Sequence, residues 1–310
     1  MRQQILTISL CCVFILSALS DVLSQPLHRT DLSNLRVNAF AQDSLGYIWI
    51  ATANGLCKSF GESYDVFFYN EADERSIPSN LITGLYVDDT SKLWISTGKG
   101  ICSMARGKYE FHRYSQSTPT GMESFFLGFV QYAGKIYTYG YNGLYEIDEK
   151  SKTLIPRVEV DRQVIYGAVT DSRGNLWLTN GVELIKLDRS LSLMSKIVVG
   201  RDDIVNCMVS YGDEILLGTE NGIKLLDLHN LRIDAGNFPR LLDDLRINQM
   251  LPVDGGSKLL ISTRNKGALV YDMETRDVIS RDNNDEFADI PSVDINTAFV
   301  DKEKNVWFGT

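Results

Sequence analysis

DSLGYIWIATANGL, residues 43–56, is the stretch from which the fold can be predicted. It is typical of a polar turn, a strand, a two-residue turn and the start of a second strand. The same pattern returns three times with other residues: DDTSKLWISTGKGI at 88–101, DSRGNLWLTNG at 171–181 and DKEKNVWFGT at 301–310. All the tryptophans of the chain occupy one position of this pattern: Trp49, Trp94, Trp177 and Trp307. The chain is therefore built from repeats.

Three weaker copies of the pattern, anchored at Tyr137, Leu216 and Leu260, fill the gaps between the tryptophan repeats. Neighbouring anchors then lie 39 to 47 residues apart. A repeat of roughly 40–50 residues made of short strands indicates a β-propeller with one four-stranded blade per repeat. We predict an all-β fold, a seven-bladed β-propeller of antiparallel blades over residues 25–310, with the seventh blade incomplete in this chain.

Turn residues and large side chains support this prediction. Asn-Gly recurs at 54–55, 142–143 and 221–222, and this dipeptide favours the positive φ angles of a tight hairpin. One blade cannot bury both faces of its sheet, so neighbouring blades must complete the core. We therefore expect the tryptophans to pack between blades rather than to form a sugar-stacking platform.

Length and charge exclude some classes of function. The chain has 310 residues, 44% of them hydrophobic, and a formal net charge of −9. No basic stripe offsets this charge, which argues against a nucleic-acid partner.

The first 24 residues are typical of a secretory signal peptide, because a positive start precedes a short apolar run and small residues. A retained membrane anchor is the alternative. Cleavage would leave Cys57, Cys102 and Cys207. The first two occupy equivalent places in consecutive repeats, too far apart for a disulfide bond. We expect all three to be small buried apolar residues.

The two ends of the chain bear on how the ring closes. Residues 25–36 are the candidate for an N-terminal strand that completes the last blade, a device that removes exposed sheet edges. The sequence ends after the second strand of the seventh repeat. From the sequence we expect an unclosed ring and a longer natural protein.

The pattern Asp-x-x-Gly-x-apolar-Trp-apolar-x-Thr-x-x-Gly resembles the two-component-regulator propeller repeat. The resemblance covers about residues 30–310 and is strongest in the four tryptophan repeats. Such repeats form the N-terminal periplasmic sensor region of hybrid two-component systems in polysaccharide-degrading bacteria. The usual plan continues with a second propeller, a β-sandwich domain, a membrane helix, a histidine kinase, a receiver and a DNA-binding module. Only the secretion signal and the first propeller are present here.

The resemblance implies a function for the chain. It suggests a non-enzymatic sensor that detects a carbohydrate breakdown product and relays it to a downstream histidine kinase, which controls polysaccharide-utilisation genes. The implied partners are an oligosaccharide or other small-molecule ligand and, in the full-length protein, a second copy and the inner membrane, reached through a C-terminal segment. The implied location is the periplasm, with no cofactor.

A search for catalytic or metal-binding patterns yields none. His28, His112 and His229 are scattered outside the shared repeat positions, so they suggest neither a metal set nor the base of a nucleophile. The recurring aspartate lies in the turn that precedes the tryptophan strand. Aspartate in a turn usually accepts hydrogen bonds from nearby backbone N–H groups, so we expect a turn role there rather than calcium binding or catalysis.

One set of polar residues is a candidate ligand site. Residues near the start of the first strand of several repeats would ring the mouth of the central channel: Asn38, Thr83, Tyr166, Asn206, Asn248 and Asn296, with Arg36, Arg246 and Asp294 two residues before three of them. Such groups suit a neutral or acidic sugar. The alternative is that these side chains satisfy backbone groups between blades.

Two other classes of function remain open at this point. The streptogramin-lyase group has similar repeats and relies on histidine and acidic residues in the channel, but no histidine falls at a channel-lining position here. A secreted scaffold that binds proteins through the propeller face is the third hypothesis.

Overall fold

The computed structural model describes residues 27–29, 31–60, 63–116, 125–200, 203–284, 290 and 292–310. The predicted signal peptide, residues 1–24, lies outside these residues. No helix within the described ranges is long and apolar enough to cross a membrane.

The first three repeats form antiparallel blades in chain order. A short strand, β1 (Leu27–Arg29), comes first. Blade 1 consists of β2 (Val37–Gln42), β3 (Ile48–Thr52), β4 (Gly55–Phe60) and β5 (Ser63–Phe67). Blade 2 consists of β6 (Ile82–Val87), β7 (Leu93–Thr97), β8 (Gly100–Met104) and β9 (Phe111–Gln116). Blade 3 consists of β10 (Phe126–Tyr132), β11 (Lys135–Asp148) and β12 (Thr153–Val164).

The remaining repeats continue the series. Blade 4 consists of β13 (Gly167–Thr170), β14 (Leu176–Thr179), β15 (Glu183–Leu187) and β16 (Leu193–Val198). Blade 5 consists of β17 (Val205–Tyr211), β18 (Glu214–Thr219), β19 (Gly222–Asp227) and β20 (Ile233–Asp234). Blade 6 consists of β21 (Ile247–Val253), β22 (Lys258–Thr263), β23 (Ala268–Asp272) and β24 (Val278–Ile279). Blade 7 consists of β25 (Thr297–Val300) and β26 (Val306–Gly309). Single 3₁₀ turns span Arg240–Leu242 and Asp254–Gly256.

Blade 3 departs from the simple pattern. Its strand β11 pairs with β10 through its first half and with β12 through its second half. Asn142 and Gly143, both at positive φ, lie between the two halves. The outer strands of blades 2 and 3 also pair with each other, in parallel, where Thr153 and Leu154 meet Ser115 and Gln116.

The first strand of each blade faces the first strand of the next blade around a ring, and β25 returns to β2. The predicted all-β propeller architecture is thereby confirmed. Closure is direct: the Val37 N–H donates to the Thr310 carbonyl at 3.2 Å. Gln42 donates to the Glu303 carboxylate at 2.9 Å and accepts from the Lys302 N–H at 2.7 Å. The expectation of an unclosed ring was wrong, because contacts between blades 1 and 7 need only the inner two strands of blade 7.

The N-terminal strand lies elsewhere than predicted. β1 pairs antiparallel with β5, the outer strand of blade 1, with Leu27 opposite Val66. It does not add to blade 7 within the described chain. The strand therefore covers the outer edge of blade 1, an edge that would otherwise offer unpaired backbone groups.

Each tryptophan is tied to the aspartate six residues before it. The indole N–H of Trp177 donates to Asp171 Oδ2 at 2.8 Å, and the other three repeats form the same bond: Trp49 with Asp43, Trp94 with Asp88, and Trp307 with Asp301. The other oxygen, Asp171 Oδ1, accepts the N–H groups of Arg173 and Asn175. The expected turn role of the aspartate is confirmed, and it extends to the buried indole.

The threonine of the repeat closes the hairpin. Thr52 Oγ1 donates to the Gly55 carbonyl at 2.7 Å and accepts the Asn54 N–H at 3.1 Å, and the equivalent residues do the same: Thr97, Thr179, Thr219 and Thr263. At the turns 54–55 and 221–222 only the glycine has positive φ, whereas both residues have it at 142–143. The expectation of two positive φ angles was therefore wrong at two of the three Asn-Gly turns, because the glycine follows the two-residue turn there.

The cysteines are free thiols, and Cys57 and Cys102 are buried as expected. Cys207 is partly exposed as a residue, but burial raises the pKa of its thiol to about 12. Burial raises the pKa of the Cys102 thiol, with a small opposing effect from Arg113.

Candidate functional site

Four of the predicted site residues bridge neighbouring blades. Asn38 Nδ2 donates to the carbonyl of Ile82 in the next blade at 2.7 Å. The equivalent bonds run from Thr83 to Phe126, from Asn206 to Ile247 and from Asn248 to Ile295, at 2.6 to 3.0 Å. Each acceptor belongs to a fully buried residue at the start of the next inner strand or, for Ile295, two residues before it. We call these four donors the inter-blade bridges.

The inter-blade bridges follow from the geometry of the ring. Inner strands converge near the axis but do not pair, so a carbonyl at the start of one strand meets no N–H of its neighbour. A buried carbonyl without a donor is costly, and a short amide or hydroxyl side chain from the preceding blade supplies the donor. The alternative raised from the sequence therefore describes these four residues.

The other predicted site residues are open to solvent. Arg36, Asp294 and Asn296 are exposed, and Tyr166 is 49% exposed. Arg246 is partly exposed. These five residues lie beside the starts of inner strands of blades 1, 4, 6 and 7, and we call them the rim residues.

Two further side chains belong to the rim but were missed from the sequence. Glu220 lies 3.4 Å from Arg246 Nε and accepts from Asn206 at 3.3 Å. Arg264 is exposed, and its N–H donates to the Arg246 carbonyl. Both directly follow the hairpin threonine of their repeats, Thr219 and Thr263. Their position could have been predicted from the sequence. The second strand of a blade ends beside the start of the first strand, so the residue after the hairpin threonine lies at the same end of the blade as the rim residues.

The rim offers two kinds of contact. Guanidinium groups donate hydrogen bonds in a fixed planar arrangement, while a tyrosine ring supplies an apolar face with a polar tip. Arg36 and Arg264 are cationic, and the carboxylate of Glu220 offsets Arg246. Such a rim suits a ligand that combines hydroxyl or carboxylate groups with an apolar face.

The histidines of the described residues are not placed together in a way that suggests catalysis or metal binding. His112 lies on β9, an outer strand, and His229 lies in the turn after β19, where its ring is 3.4 Å from Asp213. His28 falls on β1. Within the described ranges no three His, Cys, Asp or Glu side chains could together hold a metal ion.

A cavity of about 1060 Å³ lies away from the rim, between blades 6 and 7. Its lining is mainly aliphatic and includes Leu260, Val270, Ile279, Val306 and Phe308. A sugar site needs several convergent polar groups, so this cavity is a poor candidate for it. Blade 5 presents equivalent aliphatic side chains, and there the outer strands of blade 6 cover them.

Comparison with known proteins agrees with the repeat assignment. Residues 31–54 match the family model described as two component regulator propeller. No curated protein matches the chain. The fold is similar to the extracellular domain of a hybrid two component system from B. thetaiotaomicron, with a TM-score of 0.74 and 20% identity over 92% of this chain and 40% of that one. A second such domain from B. thetaiotaomicron gives 0.69 and 18% over 91% and 39%.

The chain thus spans about 40% of the length of these extracellular domains. A streptogramin B lyase has a similar fold at a TM-score of 0.68, with 12% identity over 92% of this chain and 95% of the enzyme. The lyase likeness rests on fold alone, whereas the first repeat also matches a family by sequence. The resemblance to the two-component-regulator propeller repeats is confirmed, and the fold is a β-propeller similar to those of hybrid two-component extracellular domains.

Proposed function

We propose that the chain is the ligand-sensing propeller of a hybrid two-component sensor, exported to the periplasm. The match of residues 31–54 to the two-component-regulator propeller model carries this proposal. The likeness of the fold to extracellular domains of such systems supports it. In the longer protein, the propeller relays ligand binding to a histidine kinase in the inner membrane that controls polysaccharide-utilisation genes.

The proposed ligand is an oligosaccharide released from a polysaccharide, bound at the rim. The exposed guanidinium, phenol, amide and carboxylate groups of the rim residues support this choice, because sugars are held by such groups together with a flat apolar surface. The inter-blade bridges contribute less, since each of them is only partly exposed and already donates one hydrogen bond to the next blade. Binding can signal only if the ligand prefers one arrangement of the sensor over another.

A thermal-shift screen against oligosaccharides tests the proposal. A ligand at about 100 times its dissociation constant stabilises the folded state by about 2.7 kcal/mol, which gives a clear rise in Tm. We expect Tyr166→Ala and Arg36→Ala to abolish this rise without lowering the Tm of the free protein. Tyr211→Ala is the matched control, because Tyr211 is a partly exposed tyrosine at the far end of an inner strand. Equal loss of the shift in the control and in Tyr166→Ala would disprove a rim site.

We infer that the chain shown is not itself an enzyme. The streptogramin B lyase fold favours the alternative, and the solved structures include a virginiamycin B lyase from S. aureus made catalytically inactive by a His-to-Ala change. Among the described residues none of the inner strands carries a histidine. Incubation with a streptogramin B and chromatography of the products tests the inference, and measurable turnover would overturn it.

A further inference from the structure

Strand β16 forms the outer edge of blade 4, and no strand of the described chain pairs with that edge. Three of its side chains are large, apolar and exposed: Leu193 at 58%, Met194 at 55% and Val198 at 67%. An unpaired edge strand is a template for pairing with another strand, and soluble proteins usually cover or charge it.

The other outer edges of the ring are covered, short or less apolar. β1 covers β5. β12 meets β9 at only two residue pairs, but among the described side chains neither strand carries a large apolar one that is exposed. β20 and β24 have two residues each. β26 exposes Val306 but is only four residues long. Among the described blades, β16 is therefore the outer edge that combines six residues without a strand partner on that side with three exposed large apolar side chains.

We propose that β16 pairs antiparallel with β16 of a second copy, so that the two blade 4 sheets join across a two-fold axis. A symmetric pair of this kind places each residue opposite one that is an even number of positions away, because backbone groups alternate in direction along a strand. In two registers the middle of β16 lies on the two-fold axis: in one Ser195 lies opposite its own copy, and in the other Lys196 does.

The side chains select the first register. With Ser195 on the axis, Leu193 lies opposite Ile197 of the second copy, and Met194 lies opposite Lys196, whose aliphatic stem can cover it. With Lys196 on the axis, two ammonium groups would face each other, and like charges directly opposite are destabilising. The sequence of the edge is thus complementary to itself in one register.

Two local features support the pairing of a second strand with the open edge of β16. Ser195 Oγ is buried and has no hydrogen-bond partner among the described residues, and in the first register it lies across from the same hydroxyl. A cavity of about 390 Å³ also lies beside the strand, lined by Ile197, Val198 and Ile233. Leu193 of the second copy, opposite Ile197, would reach its margin.

One strand pair is smaller than a standard interface, which buries about 800 Å² per partner. The dimer of the chain alone should therefore dissociate in the micromolar range. This pairing does not depend on which ligand the rim binds, so each proposal can fail without the other.

Sedimentation equilibrium of the purified chain tests the proposal. We expect a monomer–dimer equilibrium whose dissociation constant rises at least tenfold in Met194→Lys, which sets a second ammonium group opposite Lys196. Met194 is 55% exposed, so the substitution should leave the fold intact, and circular dichroism checks this. Val306→Lys, on the other open edge, is the control. A strictly monomeric chain would overturn the proposal, and so would a dimer weakened by Val306→Lys and not by Met194→Lys.

Cross-linking tests the register. Under mild oxidation Ser195→Cys should give a disulfide-linked dimer, because cross-strand Cα atoms lie about 4.5–5.5 Å apart, within the disulfide range. Lys196→Cys should not, because in this register Lys196 lies opposite Met194 of the second copy, and the two copies of residue 196 are therefore not directly opposite each other. The unsubstituted chain controls for its own free thiols. Faster cross-linking of Lys196→Cys would refute the proposed register.

Discussion

Asp171→Ala is the substitution that best tests how one repeat is held together. Asp171 is buried, its Oδ2 accepts the Trp177 indole N–H, and its Oδ1 accepts two backbone N–H groups of the turn. A buried donor left without an acceptor costs about 1–3 kcal/mol, and each lost turn bond about 0.5–1.5 kcal/mol. Because water can reach part of the turn, we expect a loss of about 3 kcal/mol.

Asp188 provides a matched control. It lies in a turn of the same form, and its Oδ1 accepts the N–H groups of Ser190 and Ser192 at 2.8 and 2.9 Å. No indole contacts it in the described structure. Asp188→Ala should therefore cost about 1 kcal/mol, the value of the turn bonds alone.

Urea unfolding followed by circular dichroism measures both values. In a Trp177→Phe background the cost of Asp171→Ala should fall toward that of Asp188→Ala, because the indole donor is gone. Equal costs for Asp171→Ala in the two backgrounds would refute the claim that the indole bond dominates.

The cost of Asp171→Ala in unfolding free energy should depend on pH, because the carboxylate of Asp171 titrates. Burial alone would raise the pKa of Asp171, but hydrogen bonds from Trp177, Asn175 and the backbone outweigh it and lower the pKa. The folded state therefore favours the ionised form. Its contribution is complete above about pH 4, the ordinary pKa of aspartate, and is lost as the pH falls through the lower folded pKa. The difference in stability between the wild-type chain and Asp171→Ala should shrink in that acid range.

Three further outcomes are expected. Asn248→Ala removes an inter-blade bridge and should lower the unfolding free energy by about 1–2 kcal/mol, whereas Asn296→Ala, at an exposed equivalent position, should change it by less than about 0.5 kcal/mol in the same urea titration. Gly143→Ala should cost more than Gly134→Ala when both are measured by thermal unfolding. Both glycines have positive φ, but a Cβ on Gly143 would lie 1.8 Å from a carbonyl oxygen, and one on Gly134 would meet nothing within 4 Å. Cys102, whose thiol pKa is raised by burial, should react with a maleimide at pH 8 only after urea is added, as mass spectrometry can show.

The repeat was predictable because one requirement recurs in each blade. Each blade needs a buried aromatic ring on its second strand and a polar turn before that strand. Trp94 and its equivalents therefore recur at a regular interval in the sequence, and this interval predicts the fold. Side-chain hydrogen bonds over six residues, such as Trp94 to Asp88, were not predictable in the same way. They depend on the turn conformation, which sequence spacing does not specify.

The candidate site was only partly predictable. Asn38 and Asn296 occupy equivalent positions in the sequence, yet one bridges two blades and the other is exposed. The two repeats carry the same residue type at this position, so the difference is a property of the assembled ring rather than of either repeat. The position of β1 was mispredicted for a similar reason, since any strand can cover any open edge. Only the assembled sheets show which edge it covers.

The seam between blades 1 and 7 has a consequence for how the protein folds. Most strand pairs join neighbours along the chain, whereas the seam joins Gln42 to Glu303 across 261 residues. Long-range contacts form late, because the chain between them must lose its freedom first. Each blade can therefore fold on the one before it, and the seam forms last. We also expect the ring to open locally at this seam while each blade stays folded. Native-state hydrogen exchange at the Val37 amide, which bonds to Thr310 across the seam, would detect this opening.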